Sequence, residues 1–209
     1  MTRVIAGAAG SLRLEVPKAG TRPTSDRVRE AIFSTLDSWD LLAETRVLDL
    51  YAGSGALGLE AASRGASRIV LVEKHPQAAQ VATRNTKTVL SAFRGGSAPE
   101  VEVVRQSVQT YLDAAGASGA RLGAWDVALL DPPYDLGEAE LTANLAALVP
   151  LLAPGAAVLV ERSTRTPEPS WPAGLSPIRE RRHGETALWW AEPTEPGTPE
   201  ASESEESPA

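Results

Sequence analysis

Five short apolar runs, four of them followed by a helical pattern, constrain the fold of this chain more than any other feature. The runs cover residues 47–50, 69–72, 101–104, 127–130 and 157–160, and the predicted helices cover about 56–64, 76–91, 108–115 and 138–152. Strands that helices cover on both faces have little need for alternating polar residues. The pattern therefore predicts an α/β fold with a mostly parallel sheet.

The N-terminal residues have a different pattern. Residues 3–6 and 11–16 flank a glycine-containing turn, which predicts a short β-hairpin. A helix is expected over about 27–38, with Ser25 or Asp26 as its N-cap. This small extension precedes the first strand of the predicted sheet.

The C-terminal part of the sheet is predicted to be antiparallel. Residues 178–182 and 186–190 flank a His-Gly-Glu turn, so we expect a hairpin that closes one edge of the sheet. The chain then divides into an extension over 1–40, a central domain over 41–191 and a tail over 192–209. At 209 residues it has room for one domain with small additions.

Charge is distributed unevenly along the chain. The formal net charge is −7, but six glutamates and no basic residue lie in 192–209, which leaves −1 for the rest. The tail lacks apolar residues that could offset the entropy of ordering it, so we predict a disordered acidic extension. Residues 1–30 have a local excess of arginine and lysine, and a second basic cluster lies at 179–183. Such clusters are typical of phosphate-contacting surfaces.

The chain has no cysteine and only two histidines, so we expect no disulfide and no histidine or cysteine metal site. No apolar run approaches the length needed to cross a bilayer, which is about 20 residues. We therefore predict a cytoplasmic protein that binds neither a membrane nor a metal.

A glycine-rich loop stands at the first junction between strand and helix. Residues 53–58 have the pattern Gly-x-Gly-x-x-Gly, and Glu73 ends the next strand, 20 residues after Gly53. Glycines allow backbone to approach a ligand, and a carboxylate at the second position can accept hydrogen bonds from ribose hydroxyls. Asp49 before the loop would repel a pyrophosphate but attract a cation. A nucleoside cofactor is predicted, and S-adenosylmethionine is favoured over a nicotinamide.

The segment Asp131-Pro132-Pro133-Tyr134 follows the fourth strand, on the sheet edge predicted for the glycine loop. Two prolines stiffen the backbone and remove two N–H donors, so the loop presents hydrogen-bond acceptors. Acceptors suit the amino group of a base, and Tyr134 can stack on the base plane. We therefore interpret these four residues as the catalytic segment.

These segments resemble class I methyltransferases with a Rossmann-like sheet and, among them, the bacterial enzymes that methylate N2 of a guanine in 16S ribosomal RNA. The resemblance covers residues 1–191. It depends on residues 22–30 (RPTSDRVRE), which are the most discriminating, on 49–60 (DLYAGSGALGLE) and on 131–134.

The resemblance implies roles for individual residues. The cofactor, S-adenosylmethionine, would contact Arg22, Thr24, Asp49, Tyr51, Gly53, Gly55, Glu73 and Ser107. Asp131 and Tyr134 would bind the guanine amine. RNA would contact the N-terminal arginines Arg3, Arg13, Arg27 and Arg29. The implied partner is 16S rRNA within a small ribosomal subunit or an assembly intermediate. At Ser107, related enzymes often have an acidic residue that binds the adenine amine.

Several alternatives remain open from the sequence. A DNA adenine or protein glutamine methyltransferase also uses a Pro-Pro-aromatic loop. A nicotinamide oxidoreductase could use the glycine loop, and a non-catalytic ribosome assembly factor could retain the fold.

Overall fold

The computed structural model describes residues 2–17, 24–93, 97–119 and 122–194. These residues form nine strands and five α-helices, and over residues 46–163 strands and helices alternate as the apolar runs predict. In chain order they are β1 (Thr2–Arg3), β2 (Arg13–Leu14), α1 (Asp26–Ser38), β3 (Arg46–Leu50), α2 (Ala56–Ser63), β4 (Arg68–Val72), α3 (Pro76–Leu90), β5 (Glu100–Val104), α4 (Val108–Ser118), β6 (Trp125–Leu130), α5 (Glu138–Leu148), β7 (Leu152–Ser163), β8 (Leu175–His183) and β9 (Thr186–Pro193).

The central sheet has seven strands in the order β5-β4-β3-β6-β7-β9-β8. The five strands from β3 to β7 in chain order are parallel. Strands β9 and β8 add an antiparallel hairpin at one edge. This confirms the predicted fold class. The chain moves outward from β3 in one direction and returns to β6 on its other side, which makes the β3–β6 boundary the topological switch point. In open α/β sheets, ligands bind beside the carboxyl ends of the strands at this point.

The core has two layers, one on each face of the sheet. Helices α1, α2 and α3 cover one face through residues that include Phe33, Leu59 and Val89. Helices α4 and α5 cover the other through residues that include Leu112 and Leu145. Burial on both faces accounts for the continuous apolar runs of the parallel strands.

The N-terminal hairpin is tightly attached to α2. The buried Glu60 carboxylate accepts hydrogen bonds from Ile5 N at 2.6 Å and from Ala6 N at 3.0 Å. Gly7 has a φ of +82°, and a Cβ there would lie 1.8 Å from the Ser63 carbonyl oxygen. Strands β1 and β2 are shorter than predicted because the intervening backbone binds α2. The predicted extension therefore shares the core of the central domain.

Several boundaries differ from the predictions. Helix α5 ends at Leu148 and continues as a 3₁₀ turn, because Pro150 lacks the N–H that would extend the α-helical hydrogen bonds. Strand β7 is longer than predicted because its polar end, including Arg162, pairs with β9. Strand β9 continues to Pro193, so the predicted tail begins too early, at 192. Residues 195–209 of that tail lie outside the described residues. Across the described chain, no helix is long and apolar enough to cross a membrane.

Candidate active site

Four acidic side chains follow one another along the carboxyl edge of the parallel strands. Glu73 follows β4, Asp49 is next to last in β3, Asp131 follows β6, and Glu161 lies in β7. These strands are neighbours in the order β4-β3-β6-β7. A row of carboxyl groups favours a cationic ligand and disfavours a phosphate.

The glycine loop is connected directly to Glu73. Gly53 N donates a hydrogen bond to Glu73 Oε2 at 2.9 Å, and His75 N donates to Oε1 at 2.7 Å. Each carboxylate oxygen has a second lone pair, so both can still accept a hydroxyl hydrogen bond. Gly53 has a φ of +56°, and the nearest atom to a Cβ built there is 4.0 Å away. The backbone at Gly53 is therefore open to a ligand.

The other two glycines of the motif have different functions. Gly55 has a φ of +79° and precedes α2. A Cβ at Gly58 would lie 2.3 Å from the Leu71 side chain, so Gly58 allows α2 to pack closely on the sheet. Gly58 N also donates a hydrogen bond to Asp49 Oδ2 at 2.8 Å.

Asp49 is buried, and its second oxygen, Oδ1, has no hydrogen-bond partner in the part of the chain that the structure describes. Burial raises the pKa of Asp49 to about 8, and the nearby charges of Asp131 and Glu73 contribute to the rise. A cationic ligand would supply the missing partner and favour the ionised form.

Three further residues were predicted to contact the cofactor. Tyr51 has a φ of +64°, uncommon for a residue other than glycine, and its hydroxyl accepts a hydrogen bond from Asn144 of α5. Ser107 follows β5 and caps α4, its hydroxyl accepting a hydrogen bond from Thr110 N at 3.2 Å. Arg22 lies outside the described residues. The cofactor contacts of these three, like those of the other predicted cofactor residues, stay predictions.

The Asp131–Tyr134 segment borders a cleft at the same edge of the sheet. Tyr134 is 77% exposed, which leaves its ring free to contact a ligand. Thr24, before α1, places its hydroxyl 3.0 Å from Asp131 Oδ2. Burial raises the pKa of Asp131 to about 6. The cleft is lined by Asp131, Pro132, Pro133, Tyr134, Glu161, Arg162, Ser163, Thr166 and Thr186.

Glu161 belongs to this cleft, although the sequence motifs did not predict it. The same Thr24 hydroxyl lies 3.2 Å from Glu161 Oε2. Burial, with the charge of Asp131, raises the pKa of Glu161 to about 8. A signal was present, because Glu161 directly follows a four-residue apolar run, as Glu73 and Asp131 do.

The N-terminal arginines divide into exposed and buried groups. Arg3, Arg13 and Arg27 are exposed, and Arg3 Nε lies 3.2 Å from Asp26 Oδ2. Arg29 is buried on the inward face of α1, where its side chain forms an ion pair with Asp26 at 2.7 Å. The prediction that Arg29 contacts RNA was therefore wrong. It occupies the inward stripe of the helix instead.

Within the described ranges, no group of three or more His, Cys, Asp and Glu side chains could hold a metal ion.

The strand order and the acidic carboxyl edge, taken with the similarity to known proteins, define a class I methyltransferase that uses S-adenosylmethionine. Comparison with known proteins identifies the family. The chain belongs to the family described as Conserved hypothetical protein 95, which matches residues 2–192.

One relative is the Ribosomal RNA small subunit methyltransferase D of Escherichia coli strain K12. It is 34% identical over 186 residues, which cover 88% of this chain and 86% of the relative. This confirms the resemblance inferred from the sequence motifs.

Two solved structures are also similar. A hypothetical protein of Thermus thermophilus superposes with a TM-score of 0.75 at 33% identity, covering 92% of this chain and 99% of that chain. The yhhF protein of Escherichia coli superposes with a TM-score of 0.73 at 32% identity, covering 92% and 97%.

Proposed function

We propose that this protein transfers the methyl group of S-adenosylmethionine to the exocyclic N2 of a guanine in 16S rRNA. The observation that carries the proposal is that the two motifs lie at the same edge of the central sheet. The glycine loop with Glu73 and the Asp131–Tyr134 cleft both stand at the carboxyl ends of neighbouring parallel strands. The name of the Escherichia coli relative supports small-subunit rRNA as the substrate. The proposal places the protein in the cytoplasm, with the small ribosomal subunit.

The residues of the glycine loop fit the cofactor. Glu73 has free lone pairs for two ribose hydroxyls, and Gly53 leaves open space beside the loop. The unpartnered Asp49 Oδ1 can accept a hydrogen bond from an ammonium group. When bound, S-adenosylmethionine supplies an electrophilic methyl group on a positively charged sulfur.

Asp131 is the residue proposed to contact the reacting amine. An exocyclic amino group is a weak nucleophile because its lone pair is delocalised into the ring. A hydrogen bond from that group to the Asp131 carboxylate stabilises the positive charge that develops on nitrogen. The carboxylate can then accept the released proton. Pro132 and Pro133 keep the loop stiff, and Tyr134 stacks on the base to hold it in place.

The exposed arginines at the N-terminus are proposed to bind the RNA backbone. Arg3 and Arg13 line a surface concavity with Ser11 and Asp26, and Arg27 lies on the first turn of α1. Helix α1 follows directly from Thr24, whose hydroxyl reaches Asp131. RNA held on this surface would therefore lie close to the cleft.

Cofactor titration and methyl transfer test this proposal together. Calorimetry should detect binding of S-adenosylmethionine and no binding of NADH, which tests the oxidoreductase alternative. Radiolabelled methyl transfer to small subunits from cells lacking the gene should occur with the wild type. Asp131→Ala should bind the cofactor nearly normally and transfer no methyl. Cofactor binding without transfer by the wild type would favour a non-catalytic assembly factor.

A further inference from the structure

The starting observation is a pair of acidic side chains that share one hydrogen-bond donor. In the register of β6 and β7, Leu129 pairs with Leu159 and Leu130 with Val160, so Asp131 and Glu161 come next on neighbouring strands. The Thr24 hydroxyl is within hydrogen-bond distance of both. A hydroxyl has a single proton, so it can donate to only one of the two at a time.

Among the residues that the structure describes, the Thr24 hydroxyl is the one hydrogen-bond donor to these two carboxyl groups. Burial raises the pKa of both acids, as expected for carboxyl groups that have too few partners. Both acids also line the cleft beside Tyr134. A flat ligand stacked on Tyr134 would complete the site if one edge of its ring carried two adjacent N–H donors.

Among the common bases, guanine has this edge. Its N1–H and N2 amino group are neighbouring donors, whereas N1 of adenine is an acceptor. If Asp131 binds the N2 amino group, the adjacent N1–H points to the neighbouring acid. This step rests on the function proposed above.

We propose that Glu161 is a specificity-determining residue that accepts a hydrogen bond from guanine N1–H while Asp131 binds the N2 amino group. If a base without N1–H enters the cleft, the Glu161 acceptor is left buried and unpaired. The energetic cost of an unpaired buried group discriminates strongly between substrates. The proposal also requires that the guanine is not base-paired when it reacts, because its Watson–Crick edge is in contact with the protein.

The test compares two bases at the target position. The target guanine is first mapped with the wild-type enzyme, and small-subunit rRNA is then prepared with guanine or 2-aminopurine there. 2-Aminopurine keeps the 2-amino group but has a lone pair in place of N1–H. In assays near pH 8, where bound S-adenosylmethionine favours the ionised form of Glu161, Glu161→Gln should lower kcat/KM for guanine roughly 10- to 100-fold, because a neutral amide replaces a charged acceptor. The guanine to 2-aminopurine ratio should fall at least about tenfold, because the amide can donate to the N1 lone pair.

Two controls make the test decisive. Glu100→Gln makes the same change at the amino end of β5, outside the cleft, and should leave both rates unchanged. If Glu161→Gln fails to fold, Glu161→Asp keeps the charge but moves the acceptor back, and it should impair guanine more than 2-aminopurine. An unchanged base ratio in the folded variant would overturn the proposal, as would a loss confined to cofactor affinity. Failure of the wild type to methylate any guanine would instead reject the proposed function.

Discussion

Gly53 donates its backbone N–H to the Glu73 carboxylate across 2.9 Å, which joins the loop after β3 to the end of β4. The contact fixes the position of the glycine loop relative to β4. It also places a carboxylate beside the open backbone at which a nucleoside would bind.

The first prediction concerns this contact. Glu73→Gln should weaken binding of S-adenosylmethionine roughly 10- to 100-fold, because an amide replaces a charged acceptor of several hydrogen bonds. Calorimetric titration measures the change. Glu100→Gln is the matched control, since Glu100 lies at the amino end of β5, away from the site, and should not alter affinity. Equal affinity in the Glu73 variant and the wild type would contradict the assignment.

Glycine substitutions test the packing of α2. Gly58→Ala should lower the free energy of unfolding by about 1–3 kcal/mol, because the new Cβ would lie 2.3 Å from Leu71. Gly116→Ala makes the same change inside α4, where no described atom outside the helix backbone lies within 4 Å of the new Cβ, and should stabilise by about 0.5–1 kcal/mol. Denaturant unfolding measures both. Similar effects at the two positions would show that close packing at Gly58 is not required.

The buried acids predict a dependence of stability on pH. The pKa of Asp49 is raised to about 8 in the folded state, so the folded protein keeps a proton that the unfolded chain loses near pH 4. The folded state binds more protons between these values, and the free energy of unfolding therefore falls as pH rises from about 4 to 8. Asp49→Asn should make this decline less steep in denaturant titrations at pH 5, 6.5 and 8. Parallel profiles for the two proteins would contradict a raised pKa at Asp49.

Cofactor binding should release protons for the same reason. A positively charged ligand favours the ionised forms of Asp49 and of the Asp131–Glu161 pair, so affinity for S-adenosylmethionine should increase between pH 6 and 8. Calorimetry in two buffers with different ionisation enthalpies would measure the proton release directly. Identical binding enthalpies in both buffers would mean that these acids are already ionised or do not face the cofactor.

The RNA surface can be tested with one exposed arginine. Arg13→Ala should weaken binding of small-subunit rRNA and reduce the slope of log affinity against log salt by about 0.7–0.9, the value for one phosphate contact. Lys87→Ala removes the same charge from the last turn of α3 and should have little effect. If both variants changed the salt slope equally, binding would depend on overall charge and not on the N-terminal surface.

The parallel strands were predictable because each is an apolar run, and Asp49, Glu73 and Asp131 were predictable because each stands beside a recognisable motif. Glu161 has no such motif, since only the pairing of β7 with β6 brings it next to Asp131. Arg29 was misassigned because the family resemblance assigned the whole basic N-terminal segment to RNA contact. Its spacing from Ile32, Phe33 and Leu36 follows the inward stripe of α1, and this periodicity indicates a buried position.

The most direct test of the account is mass-spectrometric mapping of guanines in small-subunit rRNA from cells with and without this protein. The account predicts one guanine that carries an N2-methyl group only when the protein is present and that is unmodified when Asp131→Ala replaces the wild type. An identical set of methylated guanines in both cells, or a new methyl group on another atom or base, would contradict it.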